Sequence, residues 1–146
     1  MKKKDDLDEP REYFERNVLL ILIFVAISSA LMWLCVDMLR DVNPWGTLVG
    51  VPGIIFTFQT LWLITNPYAI VYEDRFEIKH SFFYGKVVYF LDLKGVKDLK
   101  ASRFTIVYND DEPERLPLLG MRGSHKKTLI KKLEEKIEKS KASRLF

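Results

Sequence analysis

Two long stretches of this chain contain no charged side chain, and they constrain its fold more than any other feature. They cover residues 17–36 and 42–72 of a 146-residue sequence in which 29% of the residues are Asp, Glu, Lys or Arg. A core helix of a soluble protein usually keeps a polar stripe. About 20 apolar residues, at 1.5 Å each, cross a hydrocarbon layer of about 30 Å. The sequence therefore predicts two membrane-spanning helices, at about 17–38 and 45–65, which form a hairpin within residues 17–66.

Small residues mark one side of the second predicted helix. Gly46, Gly50 and Gly53 recur at helical spacing, and a stripe of small residues lets another helix approach closely. The partner in this notch is either a helix of another chain or the first helix of the same chain, and we favour the same chain. Gln59 is the one strongly polar side chain deep in either span, and a single amide does not make an ion pathway.

The distribution of basic residues predicts the orientation of the hairpin. The short loop between the spans has one basic and two acidic residues, whereas the N-terminal arm, residues 1–16, has five basic residues and the part after Asn66 has 17. Basic residues near the spans favour the cytoplasmic side. We therefore expect a multi-pass protein of the cell membrane with both termini in the cytoplasm.

The pattern changes to a period of two after Asn66-Pro67, as in half-buried strands. Turn residues at 73–75, at Gly85-Lys86 and at 109–112 separate the apolar runs, and Ser124 is a candidate N-cap for a helix that ends near residue 139. The predicted strands are 68–72, 76–83, 87–91, 93–99, 103–108 and 114–118. These patterns predict a small α+β domain over 67–140, a curved antiparallel sheet covered by an amphipathic helix, and then a tail, 141–146.

One segment of this domain resembles a known family. The run TNPYAIVYEDRFEIKHSFFYGKVVYFLDLKGVKDL, then RFTIVYNDDEPERLPL and the closing helix, is similar to the bacterial pleckstrin-homology-like domains of small membrane proteins. In that family a two-helix hairpin precedes the domain, and an apolar-x-Asp-Leu/Ile-x-x-Val segment follows the first β-hairpin. Here the matching residues are Phe90, Asp92, Leu93 and Val96. The resemblance implies a bent sheet or partly open barrel of about seven strands, capped by the C-terminal helix.

The sequence contains few residues that could carry chemistry. His80 and His125 lie 45 positions apart with no metal-ligand spacing around them, and Cys35 falls inside the first span. The acidic clusters at 5–9 and 109–114 are interpreted as solvated loops. No phosphate-binding, nucleophile-elbow or zinc-protease motif occurs. We predict no catalytic, cofactor-binding or metal-binding residues, no cofactor and no small-molecule substrate.

Basic charge is the remaining signal in the second half. Residues 67–146 hold 17 basic and 12 acidic residues, a net charge of +5, and such a surface is attracted to anionic headgroups when it is tethered beside a bilayer. The candidate headgroup contacts are four lysines of the C-terminal helix: Lys126, Lys127, Lys131 and Lys132. The alternative is that they only solvate this helix. Nucleic acid is not an expected partner, because no aromatic platform alternates with the charge.

Three functions from different classes fit these features. The leading hypothesis is a non-enzymatic integral membrane protein whose pleckstrin-homology-like domain serves protein or assembly contacts, with a protein partner or a homo-oligomer. The first alternative is anionic-lipid sensing by the basic domain. The second alternative is a subunit of an oligomeric channel or transporter, built through the glycine-rich helix.

Overall fold

The computed structural model describes residues 11–97 and 99–144. The acidic cluster at 5–9 and the lysines at 2–4 lie outside the described residues. Two long helices lie between the first and second strands of a small α+β domain, and a third helix closes the chain. The elements are β1 (Glu12–Phe14), α1 (Val18–Arg40), α2 (Trp45–Thr65), β2 (Ala69–Val71), β3 (Arg75–Ser81), β4 (Tyr84–Tyr89), β5 (Leu93–Lys97), β6 (Arg103–Tyr108), β7 (Pro113–Pro117) and α3 (Gly123–Ser143).

The two apolar helices lie within two residues of their predicted bounds. The side chain of Asn17 caps α1 by accepting a hydrogen bond from the Leu19 amide at 3.0 Å. In the loop before α2, the Oδ1 of Asn43 accepts a hydrogen bond from the Trp45 amide at 3.1 Å. Both are long and apolar enough to cross a membrane, a test that a buried core helix or a signal sequence also passes. Only 11% of the most apolar 18-residue window of α1, and 28% of that of α2, is buried in this chain.

The strands form two antiparallel sheets, with the orders β1-β2-β3-β4 and β5-β6-β7. The first sheet aligns Ile70 of β2 with Glu77 of β3, and the second aligns Ile106 of β6 with Glu114 of β7. A 3-10 turn at Phe90–Asp92 lies between β4 and β5, and no closed barrel forms within the described residues. The small α+β domain is confirmed, and its strands are divided between two sheets rather than joined in one.

The core of this domain lies between the sheets and α3. Phe76, Phe104 and Ile106 are fully buried, and α3 adds Leu129 and Leu133 to the same cluster. These helical positions repeat at the spacing that the sequence predicted for the buried stripe. The amphipathic C-terminal helix therefore covers the sheets as expected.

Three differences from the predictions are larger than two residues. β1 lies inside the predicted N-terminal arm, because three residues are too few to show a periodic pattern. The hairpin between β3 and β4 turns at Phe82 and Phe83, whereas Gly85 is paired with Lys79 inside the ladder. α3 begins at Gly123 without a side-chain cap from Ser124, and it continues through Ser143 into the predicted tail.

Candidate functional site at the helix–sheet junction

Arg16 lies where the helical hairpin meets the β-domain, and it is only 4% exposed. Its guanidinium donates to four backbone carbonyls: Nε to Asn66 at 2.9 Å, Nη1 to His80 at 3.2 Å, and Nη2 to Pro67 at 3.4 Å and to Lys79. The fixed fork of an arginine can reach several acceptors at once, which a lysine cannot do. One side chain thus joins the N-terminal arm, the end of α2 and the end of β3.

Aromatic rings complete the surroundings of this guanidinium. Its central carbon lies 4.8 Å from the centroid of the Trp62 ring and 5.5 Å from that of Tyr68, distances at which a cation is attracted to an aromatic face. Burial lowers the pKa of Arg16 to about 10. The group still carries its charge at neutral pH, and among the described residues its partners are carbonyls and rings rather than a carboxylate.

Backbone hydrogen bonds attach the segment around Arg16 to both sides of the domain. The Tyr68 amide donates to Phe14 at 2.9 Å, the Asn17 amide to Gly120 at 2.9 Å, and the Arg122 amide to Glu15 at 3.0 Å. Gly120 allows this close approach, since a Cβ there would lie 2.8 Å from the ring of Tyr68. Residues 12–17 are therefore an integral part of the domain.

The fully buried Tyr68 and the half-buried His80 lie beside Arg16. Burial raises the pKa of the Tyr68 hydroxyl, which donates to the Pro117 carbonyl. The His80 ring lies edge-on to the rings of Tyr68 and Tyr84, each with its centroid 6.2 Å away. Burial, and then the charge of Arg16, lowers the pKa of His80. Its Nδ1 has no hydrogen-bond partner within the described part of the chain.

The glycine notch of α2 faces α1 of the same chain. Gly46, Gly50 and Gly53 are all buried, and a Cβ at Gly50 would lie 2.8 Å from the Sγ of Cys35. A Cβ at Gly46 would lie equally close to Leu39. The first helix therefore fills this notch, which is the arrangement that we favoured from the sequence.

The four candidate lysines of α3 fall into two pairs. Lys127 and Lys131 are exposed one turn apart. Lys126 donates to the Ala101 carbonyl, and Lys132 pairs with Glu12 at 2.7 Å. The structure thus leaves one pair on the solvent face and uses the other pair to attach α3 to its neighbours.

The chemical inventory of the described residues is small. Within the part of the chain that the structure describes, no group of three or more His, Cys, Asp or Glu side chains could hold a metal ion. Cys35 is buried against α2. Outside the junction, Glu114 of β7 links the two sheets. Its carboxylate accepts hydrogen bonds from Lys86 of β4 and from the Tyr108 hydroxyl of β6.

The structural role of Arg16 was not predicted from the sequence. There this residue was considered only as a basic residue that favours the cytoplasmic side of the membrane. The available signal was composition alone: two aromatic residues, Tyr13 and Phe14, stand just before Arg16 and the apolar helix. Comparisons of the chain with protein-family models, with curated proteins and with solved structures found no match. The junction is therefore interpreted from its own residues.

Proposed function

We propose that this chain is a non-enzymatic integral membrane protein whose hairpin crosses the bilayer and holds the β-domain at the cytoplasmic face for protein or assembly contacts. The exposed apolar sides of α1 and α2 support this proposal. Trp33, Leu48 and Phe58 each expose more than 60% of their surface, and water is an unfavourable environment for so much clustered apolar area. Lipid tails are the natural surroundings for these two helices.

The observation that carries the proposal is the double attachment of the domain to the hairpin. The chain enters α1 from β1 and leaves α2 directly into β2, and β1 and β2 are paired with Phe14 opposite Ala69. Arg16 adds hydrogen bonds across the same junction. A domain held at two points keeps one orientation relative to the bilayer. A fixed orientation suits a platform that binds a partner better than a domain on a mobile tether would.

A pleckstrin-homology-like fold for this platform is part of the proposal. Its support is the chain order of short antiparallel strands followed by one covering helix. The family-like segment coincides with the 3-10 turn and β5, where Phe90 and Leu93 are each only 1% exposed. The apolar positions of the motif thus serve the core, while Asp92 lies on the surface.

Site-specific photocrosslinking in native membranes tests the platform. A benzophenone amino acid replaces Tyr89 on the edge strand β4, and a matched variant carries it at Tyr13 on β1, since these tyrosines are 49% and 58% exposed. We expect a discrete heavier adduct from at least one of these edges. If neither position gives an adduct and the protein purified in mild detergent is strictly monomeric, the proposal of protein or assembly contacts is wrong.

Anionic-lipid sensing is the second candidate function, and the position of α3 favours it. The Arg122 amide and the His125 ring contact Glu15, so α3 begins at the junction, and Lys127 and Lys131 lie within its first nine residues. A fluorophore beside them, at Thr128, should report contact with anionic vesicles that fades as salt rises. A charge-reversed variant, Lys127→Glu with Lys131→Glu, is the matched control. Equal signals from wild type and this variant at low salt contradict lipid sensing.

The channel or transporter alternative receives no support from the packing. It requires the glycine face of α2 to meet another chain, and α1 occupies that face at Gly46 and Gly50. We therefore do not propose it.

A further inference from the structure

The hairpin that joins β3 to β4 ends in two adjacent phenylalanines, Phe82 and Phe83, which we call the hairpin tip. Ser81 pairs with Tyr84, so these two residues form the whole turn. They are 58% and 78% exposed, and their rings contact each other edge-on at 5.2 Å. Tight hairpin turns favour Asn and Gly, so turn geometry does not account for two exposed aromatic side chains here.

The hairpin tip lies beside α2 rather than beyond its end. The Phe82 amide donates to Oε1 of Gln59 at 3.1 Å. Gln59 is six residues before the last residue of α2, which corresponds to about 9 Å along the helix axis. Ile55 and Phe58 line the same apolar groove as the two tip residues. The tip therefore continues the exposed apolar side of α2.

The hydrogen bond between the hairpin tip and Gln59 involves two groups that each need a polar partner in lipid. A backbone amide in hydrocarbon needs an internal acceptor, because no water is present to accept its hydrogen bond. A glutamine in a membrane helix likewise needs a polar partner. The Oε1 of Gln59 accepts the hydrogen bond of the Phe82 amide, so this amide has an internal acceptor, and the contact gives a reason for the one strongly polar side chain deep in either span.

We propose that the hairpin tip inserts into the hydrocarbon of the bilayer leaflet beside α2, as a third membrane contact of this chain. The occupant of the groove is lipid acyl chain. The tip continues the lipid-facing side of α2, because it lies at the depth of Gln59 beside Ile55 and Phe58, which are 48% and 63% exposed. Tyr84 follows the tip, and tyrosine favours the interfacial layer. This inference rests on the proposed function, since it requires α2 to cross a membrane.

Depth measurements on the full chain in vesicles test the insertion. In a Cys35→Ala background, single cysteines replace Phe83, Leu61 on the exposed side of α2, and Asp110 in the β6–β7 loop. Each carries the same fluorophore, and quenchers are placed either on the lipid tails or in the water. We expect the labels at 83 and 61 to be quenched from the lipid tails and the label at 110 to be quenched only from water.

The three labels separate the failure of this inference from the failure of the proposed function. Lipid quenching at 61 with only water quenching at 83 overturns the insertion and leaves the hairpin anchor standing. A label at 83 that neither quencher reaches shows a protein contact instead of lipid, and this also overturns the proposal. Absence of lipid quenching at 61 contradicts the membrane anchor itself.

A second variant tests the role of Gln59 independently of the label at Leu61. Gln59→Leu removes the acceptor of the Phe82 amide, and we expect the label at 83 to lose lipid quenching. Thr57→Val is the matched control, because the Thr57 hydroxyl donates to the Gly53 carbonyl within α2 and does not contact the tip. An equal loss in both variants, or no loss in either, contradicts the positioning role of Gln59.

Discussion

Arg16 shows how one buried side chain can define a junction. Its guanidinium donates to four backbone carbonyls. If the arginine is removed, each of these carbonyls loses a hydrogen-bond donor at a buried position that water does not easily reach. The cost of leaving buried polar groups unpaired exceeds the net gain of forming a hydrogen bond. The stability of the junction therefore depends on the arginine fork itself and not only on a positive charge.

Substitution of Arg16 should destabilise the protein markedly. We expect Arg16→Leu to lower the free energy of unfolding by about 2–4 kcal/mol, because the four carbonyls lose their donor. Arg16→Lys should recover only part of this loss, since one ammonium cannot reach all four acceptors. Thermal and urea unfolding of the full chain in detergent measures both variants.

Arg122 provides the matched control for this prediction. It pairs with Glu15 at 2.9 Å, but both side chains are more than half exposed, and exposed ion pairs contribute about 0–1 kcal/mol. Arg122→Gln should therefore change stability by no more than about 0.5 kcal/mol. Equal losses in Arg16→Leu and Arg122→Gln contradict a special role for Arg16.

His80 should make the stability of the protein depend on pH. Its pKa in the folded chain lies below the ordinary value of 6.5. As the pH falls below about 6.5, the unfolded chain therefore binds a proton that the folded chain does not, and stability decreases. We expect the melting temperature to fall between pH 7 and pH 5, and to fall less steeply in His80→Gln. Parallel slopes in the two proteins contradict this role.

At the scale of elements, the contact between α1 and α2 depends on glycine at the notch. The nearest atom to a Cβ at Gly50 is the Sγ of Cys35, at 2.8 Å, and the next is the Cβ of Cys35, at 3.9 Å. The steric conflict of a Cβ at Gly50 therefore comes from one atom, the sulfur of Cys35. This makes the packing of the two helices testable with a pair of small substitutions.

Gly50→Ala should cost about 1–3 kcal/mol, as overpacking of a filled interface usually does. Cys35→Ala combined with Gly50→Ala should recover most of the loss, because the methyl group then occupies the space of the sulfur. The coupling energy comes from unfolding of the two single variants and the double variant. Gly95→Ala is the control, since nothing lies within 4 Å of a Cβ there. Additive effects of the two substitutions contradict direct packing.

At the scale of the whole molecule, residues 12–16 of the N-terminal arm complete the β-domain. Phe14 is 5% exposed in the main core, and β1 forms one edge of the four-stranded sheet. A domain boundary placed at residue 67 therefore removes a strand and the arginine of the junction. The unit that folds includes residues on both sides of the helical hairpin.

Two soluble fragments test this unit. One is residues 66–144 alone, and the other joins residues 11–17 to it through a short Gly/Ser linker, because Arg16 and Asn66 are already in contact. We expect the joined fragment to melt cooperatively, and the shorter one to melt at least about 10 °C lower, which corresponds to about 2 kcal/mol for a domain of this size. Equal melting curves contradict a structural role for the arm.

The features that were predicted well from the sequence are those that depend on neighbouring residues. Absence of charge over a helix length indicated α1 and α2, and the alternation of RFTIVY matched β6 to the residue. Gly85-Lys86 misled the prediction, because glycine favours a turn in general while this ladder places Gly85 opposite Lys79. Turn propensity is weak compared with the register that the buried residues Phe76 and Ile78 impose.

By itself, then, the sequence determined the two apolar helices, the α+β class of the second half and the buried stripe of α3, because periodicity and the lack of charge act over neighbouring residues. Only the tertiary structure decided that β1 joins β2 across two helices, that Arg16 is buried, and that the Phe82 amide meets Gln59. Each of these is a pairing between distant residues. Its energy comes from groups that no local window contains, so it appears only when the chain has folded.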